Sequence, residues 1–382
     1  MSDKVVVPSL ADLRQRKSEK WRGFPSDVLP LPVAEMDFPI AEPIKASLRD
    51  MIDRSDTGYL GAIPELKESF ATFAKNLWGW QLDANHVRIA SDVGVAAVEI
   101  LRVLIKPGDK VLIDTPVYNN FFNWINEVKA ERVEVPLLKD GLHYTLDLAG
   151  IERAYQAGVK VHLLCNPQNP TGTVHSKSEL QKIADLANQY GVIVISDEIH
   201  APLTYVTKDF HPYLAVSDNA RRTGITITSA SKSFNIAGLK CAIYIAEDER
   251  LNELLATMPM AVHYRASLFG GVASAAAFTS GQSWLTSVLA QLDENRKFVD
   301  SLIRSRIPAI GYRIPDCSYL AWLDLSALNL GENPAATLLE RGRVALNPGH
   351  TYGSQYSQFA RLNFATSHEL ITDGIERILK AL

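Results

Sequence analysis

Between about residue 85 and residue 245 the sequence alternates short runs of apolar, β-branched residues with longer segments of helical period. This alternation is typical of βα units, in which parallel strands form a sheet and helices cover its faces. We therefore predict an α/β fold whose large domain is built on a mostly parallel, seven-stranded sheet. The predicted strands cover residues 87–90, 110–113, 132–135, 159–164, 192–196, 224–228 and 241–245.

The pattern changes beyond about residue 305, where strands are predicted at 318–324, 343–346 and 359–364, followed by a closing helix from residue 368. These elements predict a smaller α+β domain. We expect residues 40–285 to form the large domain, and residues 1–39 together with 286–382 to form the small one. Because no repeat or low-complexity linker separates them, we expect the two domains to share a long helix. The predicted helices cover residues 95–105, 176–190, 267–279 and 282–304.

The composition of the 382-residue chain is that of an ordinary soluble globular protein, with 47% apolar and 21% charged residues. The net charge is −4 and no Lys/Arg-rich run provides a basic surface, which disfavours a nucleic-acid partner. The chain begins with a polar, charged segment, and no apolar run is long enough to span a membrane. We therefore expect a cytoplasmic protein without a membrane partner.

Three cysteines, Cys165, Cys241 and Cys317, are scattered along the chain. They have neither paired spacing nor histidine neighbours, so they predict no metal site. We expect them to be reduced thiols packed in the interior.

Polar side chains follow three of the predicted strands. The segment CNPQNPTG covers residues 165–172, SDEIH covers 196–200, and a third strand leads into the loop that carries Lys232. In an open parallel sheet, ligands bind beyond the carboxyl ends of the strands. We therefore expect these three loops to converge on one binding site.

Lys232 lies in the segment ITSASKSFNIAGLK, residues 227–240, among small hydroxyl residues and apolar neighbours that indicate burial. Lysine is rarely buried without a partner or a function. One such function is imine formation, because desolvation favours the neutral, nucleophilic amine. The alternative is a lysine whose stem covers the core while its ammonium group reaches water. This segment alone leaves both interpretations open.

A lysine that forms an imine is most useful with pyridoxal 5'-phosphate, whose ring withdraws electrons from a substrate Cα while its nitrogen is protonated. Asp197, at the end of an apolar strand, has the carboxylate needed to hold that proton, and is alternatively a helix N-cap. Asn169, between Pro167 and Pro170, offers an amide donor for the phenolic oxygen of the ring, and is alternatively a turn asparagine.

The segments NPQNPTG, SDEIH and SASKSFNIAGLK, in this order, resemble the three signatures of the fold-type I pyridoxal-phosphate enzymes, the aminotransferase class I/II superfamily. The resemblance covers nearly the whole chain and implies an aminotransferase-like fold with pyridoxal 5'-phosphate as cofactor. It implies that Lys232 carries the cofactor, that Asp197 pairs with the pyridine nitrogen and that Asn169 lies beside the ring oxygen. His200 stands where many aminotransferases have a tyrosine, and is either a second donor to that oxygen or a packed core histidine.

The phosphate of the cofactor requires N–H groups, hydroxyls and positive charge. Gly94, Val95 and Ala96 lie near a predicted helix N-terminus that could bind it, although the glycine alone is also explained by a turn. The resemblance adds Ser229 and Lys240, the latter at a position where the superfamily usually has an arginine. Their alternative interpretations are a turn hydroxyl and a solvated lysine.

Two tyrosines and one arginine complete the predicted site. By resemblance, Tyr118 stacks on the cofactor ring, and its alternative is ordinary core packing. Tyr59 resembles a catalytic, cofactor-binding tyrosine that crosses a dimer interface to the phosphate of the neighbouring subunit, which implies a homodimer with a shared active site; its alternative is a loop tyrosine. Arg361 in FARLNFA, with Asn169, is expected to bind the carboxylate of an amino-acid substrate, and is alternatively a solvated edge-strand arginine.

The segment VAEMDFP at residues 33–39, together with TGYLG and the motifs above, is similar to the cystathionine β-lyase-like branch of C–S lyases. This similarity implies α,β-elimination of cystathionine or a related cysteine S-conjugate to pyruvate, ammonia and a thiol. Two alternatives stay open, an aminotransferase that uses a 2-oxo acid and a regulator that binds a protein partner. The sequence departs from the branch at Pro202, where an aspartate is expected, and at Gln168, where a histidine is common.

Overall fold

The computed structural model of the protein describes residues 5–382, so the first four residues of the predicted small domain lie outside the described part. The helices are α1 (Leu10–Leu13), α2 (Glu19–Arg22), α3 (Glu42–Asp53), α4 (Pro64–Trp78), α5 (Val93–Leu104), α6 (Asn120–Glu127), α7 (Leu148–Gln156), α8 (Lys177–Tyr190), α9 (Asp218–Thr223), α10 (Ala230–Ser233), α11 (Glu249–Ala256), α12 (Ala261–Tyr264), α13 (Leu268–Ser280), α14 (Gln282–Arg306), α15 (Pro334–Gly342) and α16 (His368–Ala381). The strands are β1 (Leu29–Pro30), β2 (Val87–Ala90), β3 (Lys110–Thr115), β4 (Glu131–Pro136), β5 (Leu138–Asp140), β6 (His143–Thr145), β7 (Val159–Cys165), β8 (Ile193–Asp197), β9 (Gly224–Thr228), β10 (Ala242–Ile245), β11 (Gly311–Tyr312), β12 (Leu320–Asp324), β13 (Val344–Ala345), β14 (Asn347–Pro348) and β15 (Phe359–Asn363).

The large sheet contains seven strands in the order β2, β10, β9, β8, β7, β3, β4. Neighbours from β9 to β4 pair in parallel, whereas β10 is antiparallel to both β2 and β9. This arrangement confirms the predicted α/β fold with a mostly parallel seven-stranded sheet. Strand β7 is buried at all but one position, as expected for a central strand covered by helices on both faces.

Helix α8 shows how local sequence brings a strand to the site. Ser176 and Glu179 form a capping box, in which each side chain accepts a hydrogen bond from the backbone N–H of the other residue. Gly191, with φ of 68°, ends the helix in the left-handed conformation that glycine adopts without steric cost. The chain then returns as β8, which carries Asp197 to the carboxyl edge of the sheet.

The C-terminal part forms a four-stranded antiparallel sheet in the order β11, β12, β15, β14. The N-terminal segment joins this part of the fold, because β1 pairs in parallel with β13. Helix α14 continues without interruption across the predicted boundary between residues 285 and 286. The division at that boundary stays a prediction, with α14 as the element that both domains share.

No helix within residues 5–382 is long and apolar enough to cross a membrane. In the same part of the chain, no group of three or more His, Cys, Asp or Glu side chains is placed to hold a metal ion. Cys165, Cys241 and Cys317 are all buried and none of them forms a disulfide.

Candidate active site

A cavity of about 430 Å³ lies at the carboxyl edge of the large sheet, between that sheet and the N-terminal and C-terminal segments. It brings together side chains from loops that are far apart in sequence, as the predicted convergence of strand ends requires. The predicted site residues that line it are Gly94, Tyr118, Asn169, Asp197, His200, Lys232, Lys240 and Arg361. The other lining residues are Val33, Ala34, Asp92, Val93, Asn119, Asn120, Trp124, Cys165, Ile199, Ser231, Ala237 and Asn347.

Lys232 lies on the short helix α10, directly after β9, and its side chain enters the cavity. Its Nζ donates a hydrogen bond to the backbone oxygen of Ala34 at 3.0 Å. Burial, with the nearby Arg361 guanidinium, lowers the pKa of Lys232 to about 8, against the opposing effects of Glu35 and Asp197. The amine is therefore much closer to its nucleophilic, neutral form than a solvated lysine would be.

Asp197 occupies the last position of β8 and is 6% exposed. Its Oδ1 accepts a hydrogen bond from the N–H of Ile199 at 3.1 Å, and no α-helix begins there, so the N-cap interpretation is wrong. Burial raises the pKa of Asp197 to about 7, while that hydrogen bond and the charge of Lys232 lower it. A carboxyl group in this state is stabilised as an anion by any cation that enters the cavity beside it.

Arg361 lies on β15, an inner strand of the small sheet, and is 2% exposed. Its Nη1 donates to Oδ1 of Asn169 at 3.0 Å, and its Nη2 donates to the backbone oxygen of Pro32 at 2.9 Å. Its Nε is buried without a hydrogen-bond partner in the described part of the chain. Arg361 is therefore not a solvated edge-strand arginine but a buried cation facing the cavity, where a carboxylate can pair with it.

The helix N-terminus at one end of the cavity differs in detail from the predicted arrangement. Asp92 caps α5, because its Oδ1 accepts from the N–H of Val95 at 2.9 Å and its backbone oxygen accepts from that of Ala96 at 3.0 Å. Both N–H groups are therefore already bonded, and neither Val95 nor Ala96 lines the cavity. Val93 and Gly94 do line it, and the first N–H groups of a helix have no partner within the helix.

The space around Gly94 is tight for a side chain. A Cβ atom at this position would lie 3.0 Å from Nε1 of Trp124 and 3.3 Å from Oδ1 of Asp92. Lys240, in the left-handed conformation with φ of 56°, places its Nζ 3.2 Å from Oδ2 of Asp92. An N–H-rich helix end and a lysine ammonium therefore meet at the same end of the cavity.

Ser229 is occupied by the local backbone and does not line the cavity. Its hydroxyl donates to the backbone oxygen of Cys241 at 2.6 Å and accepts from the N–H of Ser231 at 3.1 Å, so it caps α10. Ser231 is the hydroxyl residue that lines the cavity. The motif predicts a serine beside Lys232, but the geometry of α10 decides which serine faces the cavity.

The two predicted tyrosines have different surroundings. Tyr118 lines the cavity, accepts a hydrogen bond from Nδ2 of Asn120 at 2.7 Å and packs edge-on against Trp124, with ring centroids 6.2 Å apart. Tyr59 is 95% exposed and does not reach the cavity of its own chain. Any contact between Tyr59 and a cofactor therefore requires a second subunit.

His200 is 5% exposed and lines the cavity, and its Nδ1 lies 3.0 Å from the hydroxyl oxygen of Ser318. Burial, together with the positive charges of Lys232 and Arg361, lowers the pKa of His200 to about 3. The imidazole is therefore neutral, and each of its nitrogens has a fixed role as donor or acceptor. Ser318 was not singled out in the sequence, because nothing local to it signals a ligand.

The N-terminal segment of residues 32–38 forms one wall of the cavity and is held by two asparagines that sequence reasoning missed. Nδ2 of Asn363 donates to the backbone oxygens of Val33 and Glu35, both at 2.6 Å. Asn235 accepts from the N–H of Met36 at 2.9 Å and donates to its oxygen at 2.9 Å. Both asparagines could have been found from the sequence, because Asn235 lies in the segment NIAGL and Asn363 in FARLNFA, next to residues that were predicted to form the site.

A buried ion pair fixes the far end of that segment. Nζ of Lys20 donates to Oδ2 of Asp37 at 2.8 Å, and the two side chains are 0% and 1% exposed. Nε1 of Trp21 donates to the other carboxylate oxygen at 3.0 Å. Asp37, one of the two acidic residues of the VAEMDFP motif, therefore anchors the segment and does not line the cavity.

The two departures from the lyase branch lie beside the site. Gln168 donates through Nε2 to the backbone oxygens of Asp114 at 2.9 Å and Pro116 at 2.8 Å, and so holds the loop that leads to Tyr118. Pro202 is buried in a short turn after His200 and does not line the cavity. Neither departure removes a group from the cavity wall.

The residues present fit pyridoxal 5'-phosphate. The unpaired N–H groups of Val93 and Gly94 with Lys240 suit a phosphate, and the raised pKa of Asp197 shows a carboxyl group that lacks a strong cationic partner. Lys232 supplies an amine with a lowered pKa within the same cavity. When bound, the cofactor supplies an electron-withdrawing ring that none of the side chains provides.

Comparison with known proteins agrees with this geometry. The sequence profile of the family described as aminotransferase class I and II matches residues 26–378. The chain is 33% identical to the cystathionine beta-lyase of Corynebacterium glutamicum, over 98% of this chain and 99% of that protein. It is 31% identical to cystathionine beta-lyase PatB of Bacillus subtilis, over 94% of this chain and 93% of that protein.

Among solved structures, cystalysin from Treponema denticola, which contains a pyridoxal 5'-phosphate cofactor, superposes with a TM-score of 0.93 at 27% identity, over 100% of this chain and 98% of that chain. The aspartate aminotransferase of Thermus thermophilus has the same fold, with a TM-score of 0.84 at 22% identity, over 93% of this chain and 92% of that chain. As its three motifs predict, the chain belongs to the aminotransferase class I and II family of fold-type I enzymes, whose cofactor is pyridoxal 5'-phosphate.

Proposed function

We propose that the chain is a C–S β-lyase that eliminates the thiol of cystathionine or a related cysteine S-conjugate, leaving pyruvate and ammonia. Relatives named cystathionine beta-lyase, at 33% and 31% identity over more than nine tenths of their length, support this reaction class. The observation in this chain that carries the proposal is the shared cavity of Lys232, Asp197 and Arg361. These side chains supply a base, an anion for the ring nitrogen and a carboxylate clamp.

Each of these side chains has a separate role in the elimination. Arg361 binds the substrate carboxylate and so orients the Cα–H bond, with Asn169 holding the guanidinium through its Oδ1 at 3.0 Å. Nζ of Lys232, whose pKa burial lowers to about 8, removes the proton from the substrate Cα. Asp197 would hold a proton on the ring nitrogen of the bound cofactor, which would supply the electron-withdrawing ring. The thiolate then leaves Cβ, and water converts the released enamine to pyruvate and ammonia.

The charges of the cavity favour a lyase over a transaminase that accepts dicarboxylic acids. Among the residues that line the described cavity, Arg361 is the only arginine, and Lys240, 3.2 Å from Asp92, lies at the helix end that we assign to the cofactor phosphate. A dicarboxylic 2-oxo acid needs a second cation for its distal carboxylate. A cysteine S-conjugate needs only one carboxylate clamp, together with the neutral polar surface of Asn119, Asn120 and Asn347.

We also propose that the active unit is a homodimer with a shared active site. Tyr59 carries an amphipathic ring that is 95% exposed, and it lies outside the cavity of its own chain. A position across a subunit interface, beside the partner's phosphate site, would bury this ring and satisfy its hydroxyl.

A turnover assay tests the reaction class. With cystathionine and no added 2-oxo acid, a lyase releases pyruvate, ammonia and thiol in equal amounts over many turnovers, because elimination returns the cofactor to its starting form. An aminotransferase stops after about one turnover per site, with the cofactor in its amine form, and resumes when a suitable 2-oxo acid is added, for which 2-oxoglutarate and a monocarboxylic 2-oxo acid are both tried. Arrest of this kind would reject the lyase proposal and leave the family and the cofactor unchanged.

A further inference from the structure

His200 has a side-chain partner on the C-terminal part of the fold. Its Nδ1 lies 3.0 Å from the hydroxyl oxygen of Ser318, which is 118 residues later in the chain. The two residues are 5% and 4% exposed, so bulk water does not compete for this hydrogen bond. A contact of this kind constrains the imidazole ring and its protonation pattern together.

The second ring nitrogen is left for the cavity. Within residues 5–382, Nε2 of His200 makes no hydrogen bond, and the hydroxyl of Ser318 bonds only to Nδ1. Nε2 is also absent from the fully enclosed polar atoms that lack a partner. His200 is buried and lines the cavity, and Nδ1 is occupied by Ser318, so we assign Nε2 to the side of the ring that faces the cavity.

The imidazole is neutral, so its two nitrogens must differ. Burial lowers the pKa of His200, and the charged groups that act on it, Lys232 and Arg361, are both cations that favour the neutral ring. A neutral imidazole has one N–H donor and one acceptor nitrogen. When the hydroxyl donates to Nδ1, its proton has a partner and the ring proton is on Nε2; in the opposite tautomer the hydroxyl proton would have no partner in the described part of the chain.

We propose that Ser318 is a positioning residue that holds His200 in the Nε2–H tautomer, so that the cavity presents an imidazole N–H donor to the anionic phenolic oxygen of the bound cofactor. This inference rests on the expectation, drawn from the sequence resemblance, that the phenolic oxygen of the cofactor lies beside His200. It does not depend on whether the enzyme is a lyase or a transaminase.

The backbone around Ser318 holds the hydroxyl in place without needing it for the fold. Ser318 has φ of 71°, an uncommon conformation for a residue other than glycine. Its N–H donates to the oxygen of Leu203 at 3.0 Å, and its own oxygen accepts from the hydroxyl of Tyr205 at 2.6 Å. Both backbone bonds survive the change Ser318→Ala, which therefore removes only the hydroxyl.

Absorption titration of the holoenzyme tests the proposal. A donor beside the phenolic oxygen stabilises its deprotonated form and lowers the pH at which the cofactor band changes. Loss of one neutral hydrogen bond in Ser318→Ala should raise that midpoint by roughly half a pH unit to one pH unit. The matched control is Cys317→Ala, which removes a thiol that donates to the backbone oxygen of His200 at 3.1 Å and leaves the ring contact intact. Its midpoint should equal that of the wild type.

The direction of the shift separates the two tautomers. If Nε2 were an acceptor, it would repel the phenolate, and Ser318→Ala would free the ring to donate and lower the midpoint. A fall in the midpoint, or an unchanged midpoint, would overturn the proposal. In a His200→Phe background, Ser318→Ala should cause no further shift, because the positioning residue then has nothing to position. If Ser318→Ala shifted the midpoint equally in the His200→Phe background, the shift would come from a general disturbance of the site and not from His200.

A measurement on the wild type keeps the proposal testable if the variants do not fold. Nitrogen NMR of holoenzyme labelled at its histidines reports which ring nitrogen carries the proton. We expect a protonated Nε2 and an unprotonated Nδ1 for His200. The opposite pattern, or a doubly protonated ring near neutral pH, would contradict the assignment whatever the substrate.

Discussion

Nζ of Lys232 donates a hydrogen bond to the backbone oxygen of Ala34 at 3.0 Å, across 198 residues of sequence. The hydroxyl of Tyr319 donates to the same oxygen, also at 3.0 Å. A backbone carbonyl carries no full negative charge, so this hydrogen bond orients the amine of Lys232 without forming an ion pair with it. Lys232 therefore stays available to react. The role of the N-terminal VAEMDFP segment is therefore positional, since its backbone forms one wall of the site.

The pKa of Lys232 predicts how apoenzyme takes up its cofactor. Burial lowers this pKa to about 8, and only the neutral amine attacks the cofactor aldehyde. The rate of covalent attachment, followed by absorbance, should rise with pH up to about 8 and then level off. Lys232→Ala gives the background from other lysines, and borohydride reduction with mass spectrometry should place the wild-type adduct on Lys232. A midpoint at roughly 10, the ordinary lysine value, would contradict the prediction.

Asp197→Asn should still bind the cofactor but lose turnover by roughly 100-fold or more, because a neutral amide does not hold the positive charge of the ring nitrogen. Steady-state kinetics with cystathionine measure the loss, and cofactor absorbance confirms that the site is filled. Turnover within a few-fold of the wild type would reject the role of Asp197.

The same carboxyl group predicts a pH effect on the apoenzyme. Burial raises the pKa of Asp197 to about 7, above its value in the unfolded chain, so the folded state binds the extra proton. Stability should therefore fall as pH rises from roughly 4, the unfolded value, through about 7, the folded one. Apoenzyme carrying Asp197→Asn should lack this fall and be the more stable protein at pH 8, by roughly 1–3 kcal/mol. Urea unfolding at several pH values measures it, and parallel curves for the two proteins would count against a raised pKa.

Arg361→Ala should raise KM for the amino-acid substrate by roughly 100-fold, since charge-assisted hydrogen bonds to the carboxylate are lost. Arg361→Lys should have an intermediate effect, because it keeps the charge and loses the two-pronged geometry. Arg341→Ala, at an exposed position on α15, is the matched control and should leave KM unchanged. An unchanged KM in Arg361→Ala would place the carboxylate elsewhere.

Subunit complementation tests the proposed position of Tyr59. Tyr59→Ala and Lys232→Ala should each be nearly inactive alone. In a mixed dimer, one site combines native Lys232 from one subunit with native Tyr59 from the other. When the two variants are mixed in equal amounts and exchange subunits, half of the dimers are mixed, and each mixed dimer has one native site out of two. The mixture should therefore regain roughly a quarter of wild-type activity. No recovery, in a mixture shown by native mass spectrometry to contain mixed dimers, would mean that the site is not shared.

The positions of the site-forming strands could be predicted closely from the sequence. The strands of the large sheet begin and end within two residues of their predicted bounds, because all of them except the edge strand β4 are largely buried runs between polar loops. Asn169, Asp197 and Lys232 could be predicted to meet, since each follows a strand whose carboxyl end lies at the same edge.

Two predicted phosphate ligands have partners in the local backbone for the same physical reason. The N–H of Val95 donates to the side chain of Asp92, and the hydroxyl of Ser229 caps α10. Whether a polar group faces a ligand or bonds to its own backbone depends on one side-chain torsion. Local residue patterns leave such a torsion undetermined.

The sequence by itself therefore determined the sheet, the loops that meet at its edge and the cofactor class, since these follow from hydrophobic period and motif order along the chain. Only the tertiary structure decided which groups those loops meet. Ala34 reaches Lys232 and Ser318 reaches His200 over separations of 198 and 118 residues. Contacts of that range arise from the packing of the N-terminal segment and the small sheet against the large one, and packing is a property of the whole fold.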